Sequence, residues 1–194
     1  MVQQIANNLT DLLLKKEIVK EEDKEIYTYG LEALLSTVIN TILVLIFGLL
    51  TGMLLETLAF LISFAILRVY CGGYHAKTHV GCILMFAGIY GFAMLVLTIM
   101  PAQYQGIFSM VAGGLSLLII LLYAPIEHKN RPFVGNEYKT FRMLSRIIAL
   151  LEAGLIVLSN IFAYQFIKLA LNVSMAMLSV VFILALAKII ERKR

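Results

Sequence analysis

Six long runs of apolar residues set what this chain can fold into. They cover residues 31–50, 53–67, 83–100, 107–123, 144–162 and 170–190. A helix needs roughly 20 apolar residues to cross a bilayer, and most of these runs approach that length. The second run is short, so it needs residues from the segment that follows it to complete a crossing. The pattern predicts an all-α, polytopic membrane protein with six transmembrane helices.

The composition excludes an ordinary soluble domain. Hydrophobic residues make up 61% of the 194 residues and charged residues only 14%, whereas a globular domain carries roughly 25% charged residues. The net charge of +4 does not indicate a nucleic-acid partner, because the basic residues lie at the ends of the apolar runs. Membrane topology explains that placement better.

The lysines and arginines test the number of crossings. If all six runs cross, fifteen of the sixteen basic residues fall on one side, and only Lys168 falls on the other. Basic residues favour the cytoplasmic side of a membrane. Both termini and the two polar segments at 68–82 and 124–143 are therefore predicted to be cytoplasmic, with the apolar runs in the lipid bilayer.

Residues 1–29 have a different pattern from the rest of the chain. Apolar residues recur at spacings near three and four with polar residues between them, as at Ile5, Leu9, Leu12, Leu13 and Ile18. This spacing predicts an amphipathic helix on the membrane surface, and the alternative is a solvated tail. We therefore divide the chain into an interfacial segment, 1–29, and a membrane domain, 30–194.

Prolines mark two of the predicted boundaries. Pro101 closes the third run, and we expect residues 101–106 to form a polar turn before the fourth. Pro125 ends the fourth run, since proline disfavours helical geometry in the residue before it.

Residues 68–82, RVYCGGYHAKTHVGC, concentrate the groups that could do chemistry. They hold both cysteines of the chain, two of its three histidines and two adjacent glycines. His75 and Cys82 are seven residues apart, so a continuous helix would place both on one face, and a short loop would also let them meet. An imidazole that takes the thiol proton makes a thiolate nucleophile. The pair therefore predicts thiol catalysis.

Two other interpretations of the same segment remain open. Cys71, His75, His79 and Cys82 could form a tetrahedral metal site, although the spacing lacks the paired blocks that zinc sites favour. Each cysteine could also be a small packing residue, and each histidine an interfacial polar residue. Residue chemistry alone does not choose among the three.

The pattern R-x4-G-x-H-x6-C, formed by Arg68, Gly73, His75 and Cys82, resembles the accessory gene regulator B (AgrB) family of bacterial membrane cysteine endopeptidases. The resemblance covers most of the chain and includes the APIEHKNRP segment at 124–132. It implies a multi-pass protein of the bacterial cell membrane that acts as a thiol protease in quorum sensing. It also implies that no metal or other cofactor takes part.

The resemblance implies that His75 is the general base and Cys82 the nucleophile. The substrate would be an AgrD-like precursor peptide whose acidic C-terminal tail is removed, so that a thioester on Cys82 can close into a thiolactone or lactone ring. Residues assigned to substrate binding are Arg68, Gly73, Lys77, Lys129 and Arg131.

Some expectations concern residues outside the motif. Glu32 lies near the cytoplasmic end of the first crossing and is a candidate to orient His75. Gly113 and Gly114 would allow close helix contact in a homodimer. The main rival function is a small transporter or channel without covalent chemistry, in which Glu32, Asn40 and Glu152 would line a path.

Overall fold

The computed structural model describes residues 2–74, 78–127, 133 and 135–192, and helices account for nearly all of them. The α-helices in this part of the chain are α1 Val2–Lys15, α2 Lys24–Leu50, α3 Leu54–Cys71, α4 His79–Ile99, α5 Ala102–Tyr123, α6 Glu137–Phe162 and α7 Ile167–Arg192. No strand occurs in these residues; one isolated backbone bridge joins Gly72 and Ile126. The all-α prediction is confirmed.

Five of these helices are long and apolar enough to cross a membrane, namely α2, α3, α4, α5 and α7. The length and composition of these five helices are consistent with a membrane protein. The fifth predicted run lies within α6, which carries Arg146 and Glu152 and is not among the five. The count of six crossings and the orientation of the termini stay predictions.

Helix α6 nevertheless runs the full height of the bundle. Near its start, the ring of Phe141 meets the ring of Tyr70, close to the end of α3, at 5.6 Å between centroids. Near its end, the Asn160 amide donates to the Ser109 hydroxyl of α5 at 3.0 Å. A helix that connects the two ends of a bundle beside α3, α5 and α7 is compatible with a sixth crossing.

Helix α7 is the central element. In the most apolar 18-residue stretch of α7, 67% of the residues are buried. The corresponding share is 22% to 33% in the other four helices that are long enough to cross a membrane. It contacts α3, α4, α5 and α6, and Leu171, Met175 and Ile183 are almost completely buried. Helices α3, α4, α5 and α6 therefore pack around α7 and turn apolar faces outward.

Two boundaries between apolar runs differ in how well they were predicted. Helix α3 continues through Arg68 to Cys71, so the second run does use the segment that follows it. The expected polar turn at 101–106 is wrong, because α5 already begins at Ala102. The Gln105 amide donates to the carbonyl of Met100 at 3.0 Å, which lets this polar stretch sit inside a helix.

The N-terminal region is a helical hairpin rather than one helix over 1–29. Helix α1 ends at Lys15, and Lys24–Tyr29 already belongs to α2. The Thr28 hydroxyl donates to that of Thr10 at 3.1 Å, and Lys24 pairs with Asp11 at 2.9 Å. These contacts fold α1 back along the first half of α2.

The packing of α1 leaves its larger apolar residues uncovered. Ala6 and Thr10 are fully buried, whereas Ile5, Leu9 and Leu12 are exposed. Small residues therefore make the contact with α2, and the larger ones remain available to lipid. The surface location of residues 1–29 stays a prediction.

The two glycines expected at a homodimer contact have different surroundings. Gly113 lies against Ile156 of α6, so one glycine is used within the chain, whereas Gly114 faces open space. A homodimer stays a prediction.

Candidate functional site

Residues 71–74, which follow the last turn of α3, are fixed by backbone hydrogen bonds to two distant parts of the chain. The Ile126 amide donates to the Cys71 carbonyl at 3.0 Å, and the Gly73 amide donates back to the Ile126 carbonyl at 3.3 Å. The Tyr74 amide donates to the carbonyl of Ile183 in α7 at 3.4 Å. The segment that leads to His75 is therefore anchored on the central helix.

The two glycines are required by this path. Gly72 and Gly73 have φ of 69° and 105°, which side chains rarely tolerate. A Cβ at Gly73 would also lie 3.1 Å from the Cγ2 atom of Ile183. The sequence therefore places glycines where the backbone must turn sharply against α7.

Arg68 closes the turn from the other side. Its guanidinium donates to the carbonyls of Gly72, Gly73 and Tyr74, at 3.4 Å for Gly73 and 2.7 Å for Tyr74. These carbonyls belong to the turn that follows α3, and a cation near the C-terminal end of a helix is favourable. The sequence assigned Arg68 to substrate binding, and the structure gives it a positioning role as well.

Cys82 lies in the first turn of α4. Thr78 is extended, with φ −129° and ψ 148°, and caps the helix: its hydroxyl accepts from the Gly81 amide at 3.1 Å, and its carbonyl accepts from the Cys82 amide at 3.0 Å. The extended Thr78 excludes the first of the two arrangements left open by the sequence, a continuous helix from His75 to Cys82. The loop alternative remains.

The two thiols have different surroundings. Cys71 is completely buried, whereas Cys82 is partly exposed. The Arg68 guanidinium acts electrostatically on both sulfur atoms. Of the two thiols, Cys82 is the one that a substrate could reach.

Cys82 lines a cavity of about 270 Å³, which we call the Cys82 cavity. Its walls come from α2, α3, α4 and α7 and are mostly apolar, with the rings of Phe64 and Phe86 5.2 Å apart. Arg68, Tyr74 and Asn40 contribute the larger polar side chains. An apolar cavity with a few polar groups and a thiol is typical of a binding site.

A wider groove of about 630 Å³ runs beside this cavity between α4 and α7. It is lined by apolar side chains such as Leu84, Phe92 and Phe182. Met85 and Ile89 belong to the walls of both spaces. Helix α4 therefore separates the Cys82 cavity from the wider apolar groove.

Several predicted site residues lie outside the described part of the chain: His75, Lys77, Lys129 and Arg131. The pairing of His75 with Cys82 stays a prediction for that reason. Among the residues that the structure does describe, no group of three or more His, Cys, Asp or Glu side chains could hold a metal ion. His75 lies outside those residues.

The two buried acids of the rival transporter interpretation lie in different helices. Glu32 is 7% exposed on α2, two turns before Asn40, and does not line the Cys82 cavity. Glu152 is 7% exposed on α6 and interacts with Ser63 of α3. The role of Glu32 in orienting His75 stays a prediction.

Two of the larger polar residues of the cavity, Tyr74 and Asn40, were not assigned to the site from the sequence. Tyr74 directly precedes the predicted catalytic residue His75, and this position in the motif could have pointed to it. Asn40 interrupts the first apolar run, and a polar side chain inside a membrane helix is itself a pointer to function. Only the packing of α2 against α3 and α4 brings it to Cys82.

Comparison with known proteins identifies the relatives of the chain. The chain is 32% identical to an AgrB-like protein of Listeria monocytogenes over 79% of its own length and 76% of the relative. It is 33% identical to AgrB-like protein 2 of Clostridium perfringens, in an alignment that covers 85% of this chain and 80% of the relative. It is 32% identical to accessory gene regulator protein B of Staphylococcus intermedius, in an alignment that covers 66% of this chain and 58% of the relative.

No solved structure matches the chain. The family description "Accessory gene regulator B" matches residues 3–190, which is nearly the whole sequence. The chain is therefore a member of the accessory gene regulator B family, which belongs to a quorum-sensing system.

Proposed function

We propose that the protein is a membrane cysteine endopeptidase that cleaves an AgrD-like precursor peptide and promotes its cyclisation. The observation that carries the proposal is the placement of Cys82, which is the accessible thiol of the chain and opens into a cavity at the start of a helix. Family membership supports the same reaction. Cys71, buried at the end of α3, has no part in it.

The proposed reaction has two acyl transfers. His75 takes the proton of the Cys82 thiol, and the sulfur attacks the carbonyl carbon at the end of the signal segment. The C–N bond breaks, the acidic tail leaves as an amine that receives the proton, and the remaining peptide stays as a thioester. A thiol or hydroxyl inside the peptide then attacks this thioester, closes the ring and returns the sulfur of Cys82.

Other residues serve binding and orientation in this proposal. Lys77, Lys129 and Arg131 attract the acidic tail, and Glu32 orients His75. Gly73 and Arg68 contribute through the segment that they hold, because the Arg68 guanidinium is already bonded to three carbonyls of that segment.

The proposed topology has six crossings, with both termini and the site on the cytoplasmic side. The end of α3, Ile126 and the later part of α7 meet at one end of the bundle, as this topology requires. Reporter domains inserted after residue 135 and after residue 163 should report opposite sides. The same side for both would mean that α6 does not cross.

The decisive experiment is detection of the acyl-enzyme. Purified protein in lipid vesicles is mixed with AgrD-like precursors, and the protein is examined by mass spectrometry. We expect a hydroxylamine-sensitive adduct on Cys82 and release of the acidic tail.

The two cysteines provide a matched control. Cys82→Ala should abolish the adduct, whereas Cys71→Ala should keep it within about threefold, since small core substitutions shift packing without removing the nucleophile. An adduct that survives Cys82→Ala would overturn the proposal.

A further inference from the structure

Asn40 is a polar side chain without a hydrogen bond in the described part of the chain. It is 8% exposed within the apolar part of α2 and lines the Cys82 cavity. The neighbouring hydroxyls bond to their own helix instead: Thr37 donates to the Ala33 carbonyl at 2.8 Å, and Thr41 to the Thr37 carbonyl at 2.9 Å.

The Asn40 amide faces the Cys82 cavity. Most of the surrounding wall is aromatic and aliphatic, including Phe64, Phe86 and Ala65, and Cys82 lies in the same wall. An amide that lines this cavity and has no hydrogen bond to a described residue is placed to bond a polar group that enters it. The rest of the wall is suited to an apolar group.

The volume limits what the cavity can take. Ligand pockets usually measure roughly 300–1,000 Å³, so about 270 Å³ suits one large side chain with its adjoining peptide group. A longer stretch of peptide would have to remain outside. The chemical class that fits is therefore an apolar residue in an extended peptide, presented beside the thiol.

We propose that the Cys82 cavity is the subsite for one bulky apolar side chain next to the bond that Cys82 attacks, and that Asn40 hydrogen-bonds the peptide group of that residue. This inference rests on the proposed function for its substrate. The cavity itself is tested with small thiol reagents that need no peptidase activity.

The first experiment measures alkylation of Cys82 in the Cys71→Ala background, where it is the only cysteine. Iodoacetamide and N-benzyl iodoacetamide are compared by their second-order rate constants. The reference thiol is Val80→Cys with Cys82→Ala, because Val80 is 65% exposed, lies at a similar depth and is outside the cavity. We expect the benzyl reagent to be favoured at Cys82 by about fivefold or more relative to the reference, since the ring is buried.

Two variants test the walls, and a third is a control. Ala65→Phe should fill the cavity and return the benzyl preference to that of the reference thiol. The control is Thr98→Val, outside the cavity on α4, which should leave the preference unchanged, because the Thr98 hydroxyl already bonds to the Met94 carbonyl of its own helix at 2.6 Å. Asn40→Leu should slow the benzyl amide reagent by about 2–10-fold, which corresponds to one hydrogen bond.

Benzyl bromide, which lacks the amide, separates binding from a structural role of Asn40. Its rate should be unaffected by Asn40→Leu. If benzyl bromide slows as much as the amide reagent, Asn40 acts on the shape of the cavity and the hydrogen-bond assignment is wrong. Equal benzyl preference at Cys82 and at the reference thiol would overturn the subsite.

A second experiment uses the precursor peptide. Asn40→Leu should lower kcat/KM for cleavage, and Ala65→Phe should recover activity when the apolar residue beside the cleaved bond is shortened to alanine. Cleavage with no benzyl preference would overturn the subsite and leave the peptidase standing. If the thiol reagents label Cys82 as predicted but no precursor forms an adduct on Cys82, the cavity assignment stands and the peptidase proposal is overturned.

Discussion

The two sides of the Cys82 cavity are built differently. On one side, α3 and α7 pack into a dense core: Leu67, Leu171 and Ile183 are almost completely buried there. On the other side, only 22% of the residues in the most apolar stretches of α2 and α4 are buried. Cys82 belongs to the loosely covered side, and Arg68, Gly73 and Tyr74 belong to the dense side.

This difference indicates a division of labour. The dense side fixes the backbone that leads to His75 through bonds to Ile126 and Ile183. The proposed nucleophile, Cys82, is carried by α4, which has few buried residues and is therefore expected to yield more readily when a peptide enters. Interfaces of this kind, between a rigid and a mobile element, are common at sites that must admit a substrate.

The largest expected effect is on stability and should distinguish the two sides directly. Leu171→Ala in α7 should cost about 2–5 kcal/mol, because the fully buried side chain leaves a cavity. Leu84→Ala in α4, at a position that is 66% exposed, should cost less than about 0.5 kcal/mol. Thermal unfolding in detergent measures both, and similar losses would show that the two sides are equally packed.

Arg68 tests whether the dense side positions the reaction. Arg68→Leu removes the donors to three carbonyls, and we expect the rate of adduct formation on Cys82 to fall about 100-fold, roughly 2.7 kcal/mol. Arg68→Lys should recover part of the rate, since an ammonium can bond to some of these carbonyls.

Limited proteolysis at residues 72–74 provides the second measurement for Arg68. Cleavage there should increase in Arg68→Leu and stay low in Arg68→Lys. Loss of activity without increased cleavage would mean that Arg68 acts on the substrate and not on the segment.

Gly73 probes the backbone of the same side. Gly73→Ala places a side chain at φ 105° and against Ile183, and should cost about 1–3 kcal/mol. Gly114→Ala in α5 faces open space and should be neutral or stabilising by up to about 1 kcal/mol. Unfolding of both variants in the same detergent makes the comparison, and a neutral Gly73→Ala would contradict the fixed turn.

The smallest expected effect concerns the attachment of α4 to α3. The hydroxyls of Thr57 and Tyr90 are 2.7 Å apart, and Phe60 packs against Tyr90. A double-mutant cycle with Thr57→Val and Tyr90→Phe should give a coupling of about 0.6 kcal/mol, typical of hydrogen bonds between membrane helices. Coupling above about 2 kcal/mol would show α4 to be held more firmly than its exposure indicates.

The helical architecture was largely readable from the sequence because run length and composition decide which segments suit a bilayer. The errors fall at helix ends. The prediction missed that Gln105 joins α5 and that α1 ends at Lys15, because these boundaries depend on side-chain hydrogen bonds and on a reversal after the first helix.

The site was only partly predictable. Arg68, Gly73 and Cys82 share one short segment, so their spacing in the sequence is informative by itself. Asn40 reaches Cys82 only through the packing of distant helices, which no local pattern describes. The bonds from Arg68 to three carbonyls likewise depend on the turn that follows α3.

Because four helices share the walls of the Cys82 cavity, exchanging parts between family members has a definite consequence. A chimera that receives α4 alone acquires a new nucleophile-bearing wall but keeps the old Asn40 and Phe64 opposite it. Substrate preference should therefore be inherited only when α2, α3, α4 and α7 are swapped together, and single-helix hybrids should lose activity without acquiring the donor's preference.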